Sequence, residues 1–184
     1  MRGVIATTSA AMQDLLLYKL LLRSSELSRQ VNRVCAFSRV GVEANAMNNG
    51  MATVFYVDDN ARSRSLLSGV LAECGFEMIT VANPVEALWR CRTIWFDLAL
   101  LDYQMPSLTG SQLAQEIKFL MPNVPIVLLS GYAVIPATEL VFVDAHFGQG
   151  THLDDLVDTM RRLTNSRPPR RVGRISATAW SDST

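Results

Sequence analysis

The stretch LALLDYQMPSLTG, residues 98–110, carries the clearest fold signal in this chain of 184 residues. Its first four residues are apolar and lead directly into Asp102, and a loop containing Pro106 separates this carboxylate from Gly110. Short apolar runs without alternation are typical of strands that are buried on both faces of a parallel sheet. The stretch therefore predicts a buried strand that ends in a carboxylate.

Two other apolar runs also end in polar residues. The run VFYV, residues 54–57, leads into Asp58 and Asp59, and the run IVLL, residues 126–129, leads into Ser130. The carboxyl ends of parallel strands share one edge, and ligands of open α/β sheets bind at that edge. We therefore expect three carboxylates and a hydroxyl to meet at one site.

Helical patterns lie between these strands. Capping signals mark three helix starts: Asn83 before Pro84 and Glu86, Thr109 before Gln112, and Thr151 before Asp154. Only a short helix fits between residues 131 and 143. The predicted strands are 53–57, 78–81, 97–101, 126–129 and 143–147. The first predicted helix spans 61–73, the second starts at 84 and includes Cys91, and the third ends at about 120. The last predicted helix has one apolar face formed by Leu153, Leu156, Val157, Met160 and Leu163. This order predicts a (βα)5 doubly wound parallel sheet.

Charge is distributed unevenly along the chain. Residues 51–163 carry 7 basic and 13 acidic side chains, whereas 1–50 carry 6 and 3 and 164–184 carry 4 and 1. An acidic centre argues against direct binding of nucleic acid. The three cysteines show no metal-ligand or disulfide spacing, and no apolar run is long enough to cross a bilayer. These features predict a cytoplasmic protein.

Residues 51–163 resemble the receiver domain of two-component response regulators. The resemblance rests on the acidic pair Asp58 and Asp59, on the string LLDYQMPxxxG over residues 100–110, and on LLSG over residues 128–131. It implies a flavodoxin-like fold and a phosphorelay function with an aspartyl phosphate. A sensor histidine kinase or a phosphotransfer protein would donate the phosphoryl group, and a downstream protein would receive the signal.

The carboxylates are also a reasonable magnesium site, because they repel one another until a cation neutralises them and Mg²⁺ prefers hard oxygen ligands. By resemblance, Asp102 is expected to be both the phosphoacceptor and a ligand of Mg²⁺. Asp59 is expected to bind Mg²⁺ directly, Asp58 to act nearby or through water, and the backbone carbonyl of Gln104 to complete the protein ligands. Ser130 is expected to donate a hydrogen bond to the phosphoryl group.

Three features depart from the receiver pattern. Gln149, followed by Gly150, stands where receivers usually carry a Lys followed by Pro, and a neutral amide lacks the charge of an ammonium. His146 stands at the position of the usual aromatic switch residue, and the fourth helix is short. We expect a weakened conformational switch.

The main functional prediction is a single-domain response regulator that is not an enzyme. The alternative is a pseudo-receiver, a phosphorylation-independent protein-binding module. A haloacid-dehalogenase-type phosphatase is disfavoured because Gln104 replaces the second acid of its Asp-x-Asp motif. Each acid also has a structural reading, since Asp58 or Asp59 could cap the next helix, and a structural role is favoured for His146 and His152.

The flanks are expected to differ from the domain. Residues 1–50 form an N-terminal extension in which apolar residues at near-heptad spacing permit a helix over about 10–35. Whether that helix binds a partner or has little structural role stays open. The near-heptad residues of this extension are Leu17, Leu20, Leu27, Val31 and Val34.

The basic tail, 164–184, is expected to be disordered and is too short for an output domain.

Overall fold

The computed structural model describes residues 51–131, 134–148 and 151–166. They form a parallel five-stranded sheet with strand order β2-β1-β3-β4-β5. The strands are β1 (Ala52–Val57), β2 (Phe76–Val81), β3 (Leu98–Asp102), β4 (Ile126–Leu129) and β5 (Ala145–Phe147). The helices are α1 (Ala61–Glu73), α2 (Pro84–Arg90), α3 (Gly110–Leu120) and α4 (Leu153–Asn165). The predicted (βα)5 doubly wound sheet is confirmed.

Apolar side chains cover both faces of the sheet. Alternate residues of β1 point to opposite faces, so Val54 and Tyr56 pack with residues of α1 and α4, whereas Phe55 and Val57 pack with residues of α2 and α3. Phe55 stacks on Phe96 with the ring centroids 4.6 Å apart. Burial on both faces explains why β1, β3 and β4 appear in the sequence as unbroken apolar runs.

Local sequence signals account for the starts of three helices. Asn60 and Asn83 accept hydrogen bonds from backbone N–H groups in the first turns of α1 and α2. Thr109 and Gln112 form the predicted capping box at the start of α3. These caps satisfy donors that the first turn of a helix cannot pair internally, and they fix where each helix leaves the edge that carries the acidic residues.

The predicted cap at Thr151 is wrong. Helix α4 begins at Leu153 after His152, and it has no side-chain capping hydrogen bond. The Thr151 hydroxyl instead donates to the Gly148 carbonyl oxygen over 3.0 Å. The predicted apolar face of α4 is present, because Leu153, Leu156, Val157 and Met160 are buried.

The segment between β4 and β5 is less regular than the rest of the sheet. In its described part the predicted short helix is a three-residue 3₁₀ turn, Ala137–Glu139, which follows Pro136. Strand β5 is shorter than predicted, because it begins at Ala145 and residues 143 and 144 lie outside its pairing with β4. The Asp144 backbone N–H donates to the Ile126 carbonyl just before this pairing begins. Similarly, α2 ends at Arg90, so Cys91 caps it rather than belonging to it.

Several sequence predictions lie outside the described residues. These are the helix in residues 1–50, Gln149 and its neighbour Gly150, and the disordered tail beyond residue 166. Within the described ranges, no helix combines the length and hydropathy needed to cross a membrane.

Candidate functional site

Three carboxylates meet at the carboxyl edge of the sheet. Asp102 is the last residue of β3 and Asp58 follows β1, and these strands are neighbours in which Val57 pairs with Leu101. One carboxylate oxygen each from Asp58, Asp59 and Asp102 lies within 4.8 Å of the others. The predicted convergence of these acids is therefore present, although Asp102 is separated from the pair by more than 40 positions in sequence.

Hydrogen bonds restrain both the carboxylate and the main-chain carbonyl of Asp58. Its Oδ2 accepts a hydrogen bond from the Tyr56 hydroxyl over 2.5 Å, and its Oδ1 accepts one from the Asn60 backbone N–H over 2.8 Å. Its main-chain carbonyl accepts from the Arg64 guanidinium over 2.6 Å. Asp58 is buried, whereas Asp59 is exposed. The pair thus has one fixed carboxylate and one that faces the solvent.

The site disfavours the ionised state of its acids. Burial raises the pKa of Asp102 well above its ordinary value, and the charges of Asp58 and Asp59 raise it further, against hydrogen bonds from the Gln104 and Tyr103 backbone. Burial also raises the pKa of Asp58, although hydrogen bonds from Tyr56 and Asn60 oppose that shift. Partial desolvation raises the pKa of Asp59, and the nearby Arg64 charge opposes it. A small divalent cation would relieve this repulsion.

The loop between β3 and α3 packs against the backbone of the site. The Gly110 N–H donates to the Tyr103 carbonyl over 2.9 Å, which closes the loop. A Cβ at Gly110 would overlap the Asp102 carbonyl oxygen and would lie 2.7 Å from the Leu128 Cδ1. Glycine is therefore required here because the start of α3 approaches β3 too closely for a side chain.

The remaining predicted site residues lie around these acids. Ser130 is buried directly after β4, which places it one residue beyond Leu129, the partner of Asp102 in the ladder. Gln104 is half-buried in the loop after Asp102. His146 is exposed on β5, and Gln149 lies outside the described residues.

Two neighbours of the acidic cluster, Tyr56 and Arg64, were missed by the sequence analysis. A signal for Tyr56 existed, because residues two apart in a strand share a face and Tyr56 precedes Asp58 by two. Tyr103 was also missed, and its hydroxyl donates to the Glu139 carboxylate over 2.8 Å. That bond connects the loop after Asp102 to the 3₁₀ turn, and no local pattern predicts it.

The family model of the response regulator receiver domain matches residues 54–146, which is half of the chain. The chain belongs to the response regulator receiver domain family. Receiver domains are signalling modules of two-component systems. The sequence prediction of this family is thereby confirmed.

Curated relatives share this domain within longer proteins. The autoinducer 1 sensor kinase/phosphatase LuxN of Vibrio campbellii is 38% identical over 85 residues, which cover 46% of this chain and 10% of the relative. The C4-dicarboxylate transport transcriptional regulatory protein DctD of Rhizobium meliloti is 27% identical over 118 residues, 62% of this chain and 26% of the relative. The chain thus spans about a quarter or less of the length of these two proteins.

One solved receiver structure is matched over almost its whole length, unlike the two curated relatives. The response regulator TrrA of Thermotoga maritima, in complex with Mg²⁺ and BeF, is 30% identical with a TM-score of 0.58, and the match covers 61% of this chain and 99% of that chain. TrrA has also been solved in complex with the histidine kinase ThkA. The acidic cluster of this chain and the magnesium complex of TrrA therefore belong to similar receiver folds.

Proposed function

We propose that this protein is a response regulator that accepts a phosphoryl group on Asp102. The observation that carries the proposal is the meeting of Asp58, Asp59 and Asp102 within 4.8 Å at the end of β3. Burial and the charges of both neighbouring carboxylates raise the pKa of Asp102. The sheet fixes the backbone of Asp102, and its side chain is 6% exposed at this edge, so a phosphodonor would approach it from the carboxyl side of the sheet.

The donor set fits Mg²⁺, which takes oxygen ligands and retains waters that a phosphate can replace. Asp59, Asp102 and the Gln104 carbonyl would hold the ion, with Asp58 bound directly or through water. When bound, Mg²⁺ would neutralise the carboxylates and polarise the phosphoryl oxygens. The TrrA complex with Mg²⁺ and BeF supports this assignment.

The residues of the chain then have defined roles in transfer. An ionised Asp102 oxygen attacks phosphorus in line, and the bond from phosphorus to the donor's imidazole nitrogen or acyl oxygen breaks as the aspartyl phosphate forms. The leaving group takes the electron pair of the broken bond, and a leaving imidazole also takes a proton from solvent water. Ser130 donates a hydrogen bond to a phosphoryl oxygen, and Gln149 contributes a neutral amide in place of an ammonium.

The phosphodonor that we infer is a histidine kinase or a phosphotransfer protein. The complex of TrrA with ThkA supports the first choice. Output then passes through contacts with a downstream protein, and no nucleic-acid contact is required. We place the protein in the cytoplasm, where such kinases present their phosphohistidines.

A second candidate is a pseudo-receiver that binds its partner without phosphorylation. Two observations favour it: the 3₁₀ turn Ala137–Glu139 stands where a fourth helix is expected, and His146 is exposed on a three-residue β5. Both belong to the output face that receivers usually present, which is formed by the fourth helix, the fifth strand and the fifth helix. The two candidates differ in whether Asp102 is chemically modified.

Acetyl phosphate distinguishes the candidates. With Mg²⁺ present, we expect intact-protein mass spectrometry to show one added phosphoryl group, which Asp102→Asn and Asp59→Ala abolish. Mg²⁺ should also stabilise wild type by about 1–2 kcal/mol at several-fold to tens-fold excess over its Kd. A wild-type chain that binds Mg²⁺ through Asp59 and stays unmodified supports the pseudo-receiver.

A further inference from the structure

Tyr56 combines complete burial with a polar contact inside the acidic cluster. It lies in β1 with no exposed surface, and its ring packs in the apolar core beneath α1 and α4. A buried tyrosine hydroxyl requires a hydrogen-bond partner. Here the partner is Oδ2 of Asp58, 2.5 Å away, on the same face of the strand.

This contact completes the restraint on Asp58. The other carboxylate oxygen is bonded to the Asn60 N–H, and the main-chain carbonyl is bonded to Arg64. The Asp58 N–H donates to the Val81 carbonyl over 3.2 Å. With its backbone fixed on both sides, the carboxylate plane is set by the two donors, Tyr56 and Asn60. Asp59 has an exposed side chain instead.

We propose that Tyr56 is a positioning residue of the magnesium site, whose hydroxyl fixes the Asp58 carboxylate in the orientation that the cation requires. The inference rests on the proposed function, since it assumes that the acidic cluster binds Mg²⁺. A carboxylate has about four lone-pair sites, so Asp58 can accept from Tyr56 and Asn60 and still serve the ion. Outer partners that orient ligands typically change metal affinity by about 10- to 100-fold.

The competing role for Tyr56 is that of a core side chain whose hydroxyl has no effect on the site. Phenylalanine separates the two roles, because it keeps the ring and removes only the hydroxyl. Tyr103→Phe is a matched control, since it also removes a hydroxyl that donates to a carboxylate, that of Glu139. Glu139 lies in the 3₁₀ turn and is not a member of the acidic cluster.

The test uses the full chain without a phosphodonor. Mn²⁺ serves as the probe because it shares the oxygen ligands of Mg²⁺, and electron paramagnetic resonance of the free ion gives its Kd. We expect Tyr56→Phe to raise the Kd about 10-fold or more, and Tyr103→Phe to change it less than about twofold. Mg²⁺ competition should give the same ranking, and melting in EDTA checks that each variant is folded.

A double-mutant cycle then tests whether Tyr56 acts through Asp58. We expect Tyr56→Phe to lose its effect on the Kd in an Asp58→Asn background, because coupled residues do not act additively. Equal Kd values for wild type and Tyr56→Phe, or an undiminished effect in that background, would overturn the inference. If wild type binds Mn²⁺ and Asp59→Ala does not, the proposed metal site stands in either case. If wild type binds no Mn²⁺, the proposed metal site and the role of Tyr56 both fail.

Discussion

Two regions of the sheet differ in how closely they match the receiver pattern. One is the edge formed by β1 and β3, and the other is the side formed by β4 and β5. At the first, three acids meet, Asp58 is held by several hydrogen bonds, and Gly110 packs on the backbone of Asp102. At the second, β5 has three residues and the connecting helix is a 3₁₀ turn. The three acids that we propose for phosphoryl capture lie together, whereas the described elements on the other side are short.

This difference indicates that capture of a phosphoryl group and the conformational response to it have separate structural requirements. The proposed capture needs a few oxygen atoms at fixed positions, which Asp58, Asp59 and Asp102 would supply at the ends of buried strands. A response needs an element with two arrangements whose free energies the phosphoryl group shifts by different amounts. In this chain Tyr103 and Glu139 connect the two regions by a hydrogen bond, so the response side is attached to the site although it is short.

The largest effect is expected from Gly110→Ala, which disturbs the capture edge. Its Cβ would overlap the Asp102 carbonyl and crowd Leu128, so we expect a loss of about 3 kcal/mol in the free energy of unfolding, the upper end of overpacking costs. Urea unfolding measures this loss. Gly69→Ala is the control, because that site in α1 has open space and should gain about 0.5–1 kcal/mol. Equal responses at both sites would contradict the close packing at Gly110.

The second prediction concerns the response side. Gln149→Lys would add a charge-assisted contact to a bound phosphoryl group, a type worth about 1.5–3 kcal/mol. We therefore expect beryllofluoride, a phosphoryl mimic, to produce larger NMR shift changes around Ser130 and His146 in the variant than in wild type. A wild-type chain that already shows a full shift across β5, with no gain in the variant, would show that glutamine is an adequate substitute.

The third prediction uses the raised pKa values of Asp58 and Asp102. The folded protein holds these protons more tightly than the unfolded chain does, so the stabilisation is full below the ordinary pKa of 3.8 and is lost as pH rises through the raised pKa values. In EDTA, the free energy of unfolding should fall over this range. Asp102→Asn should reduce this decrease in the free energy of unfolding with pH, and so should saturating Mg²⁺. A pH profile in EDTA that is identical in Asp102→Asn would exclude Asp102 as its source.

The smallest effect is expected at Ser107 in the β3–α3 loop. Its φ of 74° lies in the left-handed region, which costs a residue with a side chain roughly 1–2 kcal/mol. Glycine removes that cost but makes the unfolded chain more flexible, so Ser107→Gly should gain only about 0.5 kcal/mol. Thermal unfolding measures it, and a clear loss of stability would mean that the serine side chain has a contact worth more than the strain.

Much of the fold was predictable because its signals are local. The bounds of α1, the cap at Asn83 and the capping box at Thr109 follow from neighbouring residues, and each is present. Thr151 shows the limit of such signals. It has the same pattern as Thr109, but its hydroxyl bonds to Gly148 and the helix starts after His152. A capping pattern gives a possible hydrogen bond, and the preceding turn decides whether it forms.

The acidic cluster was also predictable, because parallel strands place their carboxyl ends on one edge whatever their distance in sequence. The length of β5 was not, since it depends on where Asp144 leaves the ladder with β4. At Asp144 the carboxylate accepts from the Ile126 N–H and from Lys118. Both partners lie on other elements, so no pattern around β5 predicts where its pairing begins.

The sequence by itself determined which residues end the buried strands, where most helices begin, and that Asp58, Asp59 and Asp102 share one edge. Each of these follows from the order of apolar and polar residues along the chain. Only the tertiary structure decided that Tyr56 donates to Asp58, that Tyr103 reaches Glu139, and that Gly110 has no room for a side chain. The physical reason is that such contacts depend on side-chain rotamers and on distances between packed elements, which are fixed only once the sheet and its helices have assembled.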